Sequence, residues 1–567
     1  MGSKFDDDEL FIAESAVPSL DGNLGSGDIA LYISHKEEAP LEATDYQVTL
    51  DLMGVETGDE RHGVDIVTIL DVSESMSGKK LEKLKACVKY LVTKLSPIDR
   101  LSIVTFSSEP QRLCPLIGIQ KNEEAKANIE TLIDKLRTSS GTNITGGLQI
   151  ALRILDERRL QEGRTSVIIL MSDGYQSTEY DHPSIAPVGD VPIYIFGLGN
   201  DHNSQVLQGI ASRSNRGTYS TISIADIEDS DSASINVAFS SCVSEVLSIR
   251  MLVQDLKLKV TQIESEFHEV HAGNYDLARV NESVTVSFGN LYSNEKHKTT
   301  VLLILPSVQV RTASDVLKFN YTYRPRGGGN LYKSAPIFLA VTRTSSPVII
   351  EPIEVEFEVA RGDIAARIEP ARKLAESNDF DGARKTFNSA EKSVFDLPRE
   401  EDELITALKY EVQEFLRLLE DPETYTREGR PFALSFELCR NLQQFATRCN
   451  TTQLLAVACP LSVQFGNQAV KFDQDINFEV PTADEDKKEV AKIFKESYEI
   501  AKKEKKELID EQITALMDKV VEEDTTTKAT DKNNPIVTQA DTLKHDLGQA
   551  IETLKAIQDL IAALQST

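Results

Sequence analysis

Strict alternation of apolar and polar positions marks the first ordered stretch of the chain. Ile29, Leu31 and Ile33 alternate with Ala30 and Tyr32, and Tyr46, Val48, Leu50 and Leu52 alternate with Gln47, Thr49 and Asp51. A period of two predicts two half-buried strands. From Val64 to about Leu247 the pattern changes to short apolar runs separated by helical stretches, which predicts a buried parallel sheet covered by helices. The run Val64 to Leu70 is its first central strand. Leu81, Leu84, Val88, Leu91 and Leu95 then recur at helical spacing, and Ser96-Pro97 stops that helix before a strand at Leu101 to Phe106. Helices near 123 to 136 and 146 to 158, and strands at Ser166 to Met171 and Ile193 to Phe196, continue the alternation. The fold class expected is a Rossmann-like, doubly wound α/β unit.

From Met251 to about Val359 strands return without helices. Leu256, Leu258 and Val260 alternate with lysines, Val284, Val286 and Phe288 with small polar residues, and further strands follow at Val301 to Leu305, Leu317 to Tyr323 and Ile353 to Val359. An antiparallel β-sandwich is the natural reading, completed by the strands before Val64, so that the α/β unit is inserted into a β domain. After Arg361 the chain turns helical: Ala365, Ile368, Ala371, Leu374 and Ala375 form one face, and Phe380, Ala383, Phe387, Ala390 and Val394 a second. Helices near 402 to 419 and 433 to 448 extend this region. A polar stretch at Thr525 to Asn534 precedes a heptad seam from Ile536 to Leu564. That seam either packs back on a helix at about 487 to 520 or pairs with another chain, and the oligomeric state stays open. The expected domains are a disordered acidic tail at 1–25, sandwich strands at 26–56, the α/β domain at 60–248, the β-sandwich at 250–360, a helical domain at 361–480 and a helical tail at 484–567.

Composition narrows the partners. The 567 residues carry a formal charge of −29, which repels phosphate backbones and anionic lipid, so neither nucleic acid nor a membrane surface is expected. The cysteines, Cys87, Cys114, Cys242, Cys439, Cys449 and Cys459, form no CxxC pair and read as free thiols of a reducing compartment. The first residues turn acidic where a secretory signal turns apolar, Asp6 breaks the myristoylation pattern, and no stretch is long and uncharged enough to span a bilayer. A soluble, cytoplasmic protein is expected.

The candidate chemistry lies at strand ends. Asp71-Val72-Ser73-Glu74-Ser75 follows the first central strand, Gly141-Thr142-Asn143 stands just before a helix, and Ser172-Asp173-Gly174 ends the next apolar strand. In an open α/β sheet, ligands gather in the crevice outside the carboxyl ends of the strands. Ser73, Ser75 and Thr142 offer hydroxyls there, while Asp71 and Asp173 supply charge directly or through water. That set suits octahedral Mg²⁺, with Mn²⁺ or Ca²⁺ as alternatives. A metal held mostly by neutral hydroxyls stays electrophilic and keeps an exchangeable position for a foreign carboxylate. The competing reading makes Ser73, Ser75 and Thr142 helix caps and the two aspartates solvated loop acids. It leaves two converging carboxylates with no Lys or Arg in the adjoining motifs to neutralise them.

Asp71, Ser73, Ser75, Thr142 and Asp173, in order on this strand and helix pattern, resemble the metal-ion-dependent adhesion site of von Willebrand factor A (VWA) domains. Beyond that domain the arrangement is similar, over roughly residues 26 to 460, to plant intracellular VWA proteins related to the wavy-growth ubiquitin ligases, many of which place a RING finger before the VWA domain. This sequence has no Cys or His before His35 and no RING spacing. Its VWA part also resembles the secreted inter-alpha inhibitor heavy chains. The resemblance implies a binding module or adaptor that captures an Asp or Glu side chain of a partner protein through a divalent metal, and not an enzyme; the alternative it implies is a RING-less component of a ubiquitin ligase pathway.

Other signals carry little. Arg361-Gly362-Asp363 reads as a sandwich-to-helix turn and cap, Arg326-Gly327-Gly328-Gly329-Asn330 as a hairpin, and Lys502 to Lys506 as a solvated helix face. The triplets at Asn143, Asn281, Asn320 and Asn450 matter only in the secretory pathway. No catalytic constellation is visible among the eight histidines.

Overall fold

The computed structural model describes residues 5–9, 29–54 and 63–492, except 120–122, 162–163, 175–190, 200–201, 215, 223–233, 249–250, 274, 293–294, 326–329, 348–352, 398–402, 442–459, 476–477 and 490–491. Strands β1 (Ile29–His35), β2 (Glu38–Pro40) and β3 (Thr44–Gly54) come first. The α/β domain follows as β4 (Val64–Asp71), α1 (Lys79–Lys94), β5 (Arg100–Phe106), β6 (Gln111–Arg112), α2 (Glu123–Asp134), α3 (Ile144–Glu157), β7 (Thr165–Ser172), β8 (Ile193–Leu198), α4 (Ser204–Ala211), β9 (Thr218–Ile222) and α5 (Ser234–Ser248). Its sheet runs β6-β5-β4-β7-β8-β9, parallel except for β6. Every residue of β4 is buried, because helices cover both faces of a parallel sheet and leave no side to water. The chain leaves β4 for β5 on one side and returns to β7 on the other, so the carboxyl end of β4 is a topological switch point.

The remaining strands are β10 (Met251–Gln262), β11 (Glu266–His271), β12 (Asp276–Val280), β13 (Ser283–Tyr292), β14 (Lys296–Leu305), β15 (Thr312–Pro325), β16 (Tyr332–Lys333) and β17 (Ile337–Thr344). One sheet is ordered β1-β3-β14-β11 and the other β12-β13-β10-β15-β17-β2, with β16 beside β15. Their inner faces share one core, in which Val48, Leu50 and Leu52 of β3 meet Leu258, Val286 and Phe319 of the facing sheet. Strands from before and after the α/β domain thus sit in one sandwich. The weakly patterned β11, β12 and β17 were not legible beforehand; β12, for example, has all five residues exposed and so shows no alternation of burial.

Helices α6 (Ile353–Glu376), α7 (Phe380–Phe395), α8 (Glu403–Leu418), α9 (Arg430–Asn441) and α10 (Pro460–Gln474) follow. The faces expected from spacing are in place, with Ile368 and Ala371 of α6 against Ala383, Phe387, Ala390 and Val394 of α7. Helix α9 is shared: Phe432 and Phe436 enter the helical core, while Leu434 and Leu438 enter the α/β core. The Ser435 hydroxyl donates to the Tyr219 carbonyl at 2.6 Å. Helix α10 lies on α5, and the Tyr90 hydroxyl of α1 donates to the Phe465 carbonyl at 2.8 Å.

Three expectations are corrected. Ile353 to Val359 is the first part of α6, not a strand. Its Ile-Glu-Val-Glu-Phe-Glu-Val alternation is overridden because Val355, Glu358, Ala360 and Ile364 form a buried helical face, leaving Val359 exposed. Glu358 tolerates that face through ion pairs with Lys298 and Arg361. Arg361-Gly362-Asp363 consequently lies inside the helix, where Asp363 pairs with Arg367. Within the expected tail, residues 5–9 are packed on the α/β domain, and Asp8 is 2 % exposed; arginines met there repay the ordering that composition alone does not.

The chain divides into two compact units, and all the elements above belong to the larger, residues 1–56 with 62–483. Of the other, 57–61 with 484–567, only 484–489 and 492 are described, all helical. The remainder of the tail at 10–25, the glycines at 327–329, the Lys502 to Lys506 run and the heptad seam lie outside the described residues.

Candidate metal site

Asp71 closes β4 and is fully buried. Its Oδ1 accepts from the Ser73 amide at 2.8 Å and its Oδ2 from the Ser172 hydroxyl at 2.6 Å. Burial pushes the Asp71 carboxyl up to about 6; the hydrogen bonds from Ser172 and Ser73 oppose that rise, and the Asp173 charge adds to it. Such a group is stabilised as an anion by a cation placed beside it.

The hydroxyls are not engaged as caps. Ser73 precedes the short 3₁₀ turn Glu74–Met76 without a side-chain cap bond, and the residue at the cap of α1 is Gly78, at φ 74°. Ser73 Oγ instead lies 3.0 Å from Ser75 Oγ, with Ser73 buried and Ser75 exposed. Helix α3 is capped by Asn143, whose side chain accepts from the Gly146 amide at 2.8 Å. The buried Thr142 beside it is not that cap.

Backbone bonds bring the Thr142 segment to the Asp71 loop. The Ser139 amide donates to the Val72 carbonyl at 2.8 Å, and Ser139 forms a parallel bridge with Ser73. The Asn143 amide donates to Ser107 at 2.8 Å, and the Ser108 amide to Ser140 at 3.0 Å. Gly141 allows this close approach: at φ 82°, a Cβ there would lie 2.7 Å from Ser108 Cβ.

Asp173 follows β7 and is fully buried. Among the described residues its Oδ1 has no hydrogen-bond partner, and its Oδ2 lies 3.3 Å from the Lys80 ammonium. A buried carboxylate oxygen without a donor is costly unless something positive completes it. The expectation that no Lys or Arg neutralises these carboxylates is corrected here, since Lys80 reaches Asp173 from the first turn of α1. Lysine contacts 93 residues apart leave no local trace in sequence. Ser172 is the other residue missed: it donates to Asp71 and accepts from the Gly174 amide at 2.8 Å. Its place before Asp173 was visible, its direction was not. The chemistry offered is two carboxylates with clustered hydroxyls, a donor set suited to a hard divalent cation. Among the described residues no three His, Cys, Asp or Glu side chains gather around a common point, so oxygen donors other than carboxylates must complete any such site.

Residues 65–232 match the von Willebrand factor type A domain family. E3 ubiquitin-protein ligase WAV3 of Arabidopsis thaliana is 26% identical over 352 residues, 58% of this chain and 42% of that protein. Inter-alpha-trypsin inhibitor heavy chain H4 of Homo sapiens is 30% identical over 180 residues, 30% of this chain and 19% of that protein. The chain therefore spans less than half the length of either relative. A solved von Willebrand factor type A protein from Catenulispora acidiphila superposes with a TM-score of 0.50 at 16% identity, covering 73% of this chain and 96% of that one; that likeness concerns the fold alone.

Proposed function

We propose, from the premise that residues 65–232 form a VWA domain, that this chain is a cytoplasmic protein-binding module or adaptor, not an enzyme, whose ligand presents an Asp or Glu to a divalent metal. Domains of this family mediate protein-protein interaction. The observation that carries the finer reading is the buried Oδ1 of Asp173, unpartnered among the described residues, together with serine hydroxyls at the end of the neighbouring strand that cap no helix. Asp71, Ser73, Ser75, Thr142 and Asp173 would hold Mg²⁺, with Mn²⁺ or Ca²⁺ as alternatives. The ion would supply an electrophilic position that a partner's carboxylate completes. Ser172 keeps the Asp71 carboxylate oriented, and the strapped loop fixes Thr142. The formal charge of −29 disfavours nucleic acid as a ligand.

The test is capture of partners by the full chain with Mg²⁺, with chelator, and as the Asp71→Ala and Asp173→Ala variants. Capture lost in all three controls while the fold persists is expected; capture indifferent to every one of them defeats the reading.

A second reading makes the chain a component or regulator of a ubiquitin ligase pathway, favoured by its similarity to WAV3 over 58% of its length. Purified chain with activating and conjugating enzymes should then build ubiquitin chains only when a RING partner is added. Robust synthesis by the chain alone would overturn the non-enzyme reading.

A further inference from the structure

The amino ends of the parallel strands carry a second constellation. Asp65 stands six residues before Asp71 on β4, about 20 Å away at the usual strand rise. Arg100, the first residue of β5, donates to both oxygens of Asp65, at 2.8 and 2.6 Å, and is itself fully buried. Arg158 and Arg164 approach the same carboxylate at 3.0 and 2.6 Å. Three guanidiniums thus surround Asp65, and the neighbouring buried Asp99 accepts from the Val64 and Ser96 amides at 3.0 and 2.9 Å. Three guanidiniums gathered on one carboxylate make this end of the sheet favourable to a further anion.

Residues 5–9 supply the missing anion. Asp8 Oδ2 accepts from Arg100 at 2.6 Å and from the Leu160 amide at 3.2 Å, and Asp8 Oδ1 from the Arg159 amide at 2.8 Å and its side chain at 3.4 Å. Two backbone amides and two guanidiniums around one carboxylate make an oxyanion receptor. Its neighbours are read as well. Asp7 pairs with the Arg112 fork at 2.6 and 2.7 Å, and the Phe5 ring lies 4.5 Å from the Arg112 guanidinium and 4.9 Å from that of Arg153. Glu9 donates its amide to the Leu116 carbonyl at 2.9 Å and accepts from the Gly118 amide at 2.8 Å.

All these partners lie between residues 100 and 160. The sheet core beneath, with Val67, Val104 and Ile168 fully buried, is built from side chains of the α/β domain together with Leu434 and Leu438 of α9. Only Phe5 packs against that core from the segment, and it does so partly buried. What holds residues 5–9 is a set of charge-assisted hydrogen bonds and one aromatic anchor, the manner in which short acidic motifs are recognised.

We infer that the amino-end face of the VWA domain is a docking groove for a partner's short acidic segment of the Phe-x-Asp-Asp-Glu type, which takes the place that residues 5–9 occupy in this chain. This groove is separate from the candidate metal site at the other end of the sheet. The cis segment is part of the same chain, so it is present at an effective concentration that a free peptide must outcompete.

The experiment uses the full chain carrying Phe5→Ala and Asp8→Asn, which cripples the cis occupant, and a labelled peptide of residues 3–11 followed by fluorescence anisotropy. The variant chain should bind the peptide at least tenfold more tightly than the wild-type chain does. Asp8→Asn in the peptide, or Arg112→Ala added to the variant chain, should weaken binding at least tenfold. Chelator should leave binding unchanged, which separates this groove from the metal site. Failure of the variant chain to bind, or equal binding of the Asn peptide, overturns the inference. So does loss of cooperative unfolding in the variant chain, because residues 5–9 would then be an integral piece of the domain.

Discussion

The ammonium of Lys80 lies 3.3 Å from Asp173 Oδ2, while the buried Oδ1 of the same carboxylate has no hydrogen-bond partner among the described residues. One half of this carboxylate is thus neutralised from within the chain and the other half is not. A divalent ion that completes the second oxygen must share the carboxylate with the lysine or displace it.

Lys80→Met should therefore tighten Mg²⁺ binding. A mostly covered ion pair of this kind contributes roughly 1 kcal/mol, about a fivefold change in affinity. Calorimetric titration of the full chain with Mg²⁺ checks it. Unchanged or weaker binding would show that Lys80 does not compete with the ion.

Gly141→Ala should damage the site loop more than the domain. The new Cβ would lie 2.7 Å from Ser108 Cβ and 2.9 Å from its Cα, at a φ of 82° that side chains rarely adopt. A cost of about 1–3 kcal/mol is expected from strain at such a position, together with weakened Mg²⁺ binding. Gly209→Ala is the matched control: inside α4, a Cβ there meets nothing within 4 Å, so its melting temperature should hold or rise, by the stability of about 0.5–1 kcal/mol that Ala adds over Gly in a helix.

Arg216 ties the α/β domain to the sandwich. Its guanidinium pairs with Glu245 at 2.9 Å and with Glu295 at 2.6 Å, and lies 4.9 Å from the Tyr292 ring. Arg216→Met leaves Glu295, 13% exposed, without its counter-charge, and breaking such a pair from one side costs about 3–5 kcal/mol. Urea unfolding monitored by both near-ultraviolet circular dichroism and tyrosine fluorescence measures the loss. A change under about 1 kcal/mol, the size of an exposed pair, would mean that Glu295 finds water instead.

Acid should unfold the chain partly through Glu358. Burial disfavours its ionisation, but Arg361 and Lys298 outweigh that and hold its carboxyl below the ordinary value of 4.5. A depressed carboxylate binds fewer protons folded than unfolded, so its contribution is fully present above about 4.5 and is lost as pH falls through the lowered folded value. Urea midpoints measured between pH 6 and pH 3 should fall in the acid part of that range. The fall should be shallower in Glu358→Gln, which starts less stable at pH 6. An identical acid slope in the two proteins would remove Glu358 from the account.

Much of the fold was legible because the features that encode it are local. Val64 to Leu70, apolar except for Asp65 and Thr68, is buried on both faces of a parallel strand, so its position in the sheet is written in seven consecutive residues. Asp71, Ser73 and Ser75 stand at the end of that strand, within one turn, and their types suffice to suggest oxygen ligation. Local pattern failed at Ile353 to Val359, where period-two spacing pointed to a strand. Lys298 and Arg361 neutralise Glu358 on a buried helical face, and that contact reverses the local preference.

What the residues determined unaided is the succession of α/β, sandwich and helical segments and the central strand, since each depends on near neighbours in the chain. Only tertiary structure decided that Lys80 meets Asp173, that Ser172 turns toward Asp71, and that Asp8 enters an arginine cluster 92 residues away. Electrostatic pairing acts through space and fades within a few ångströms, so which charges meet is set by how the backbone folds back on itself, and no local spacing along the chain records it.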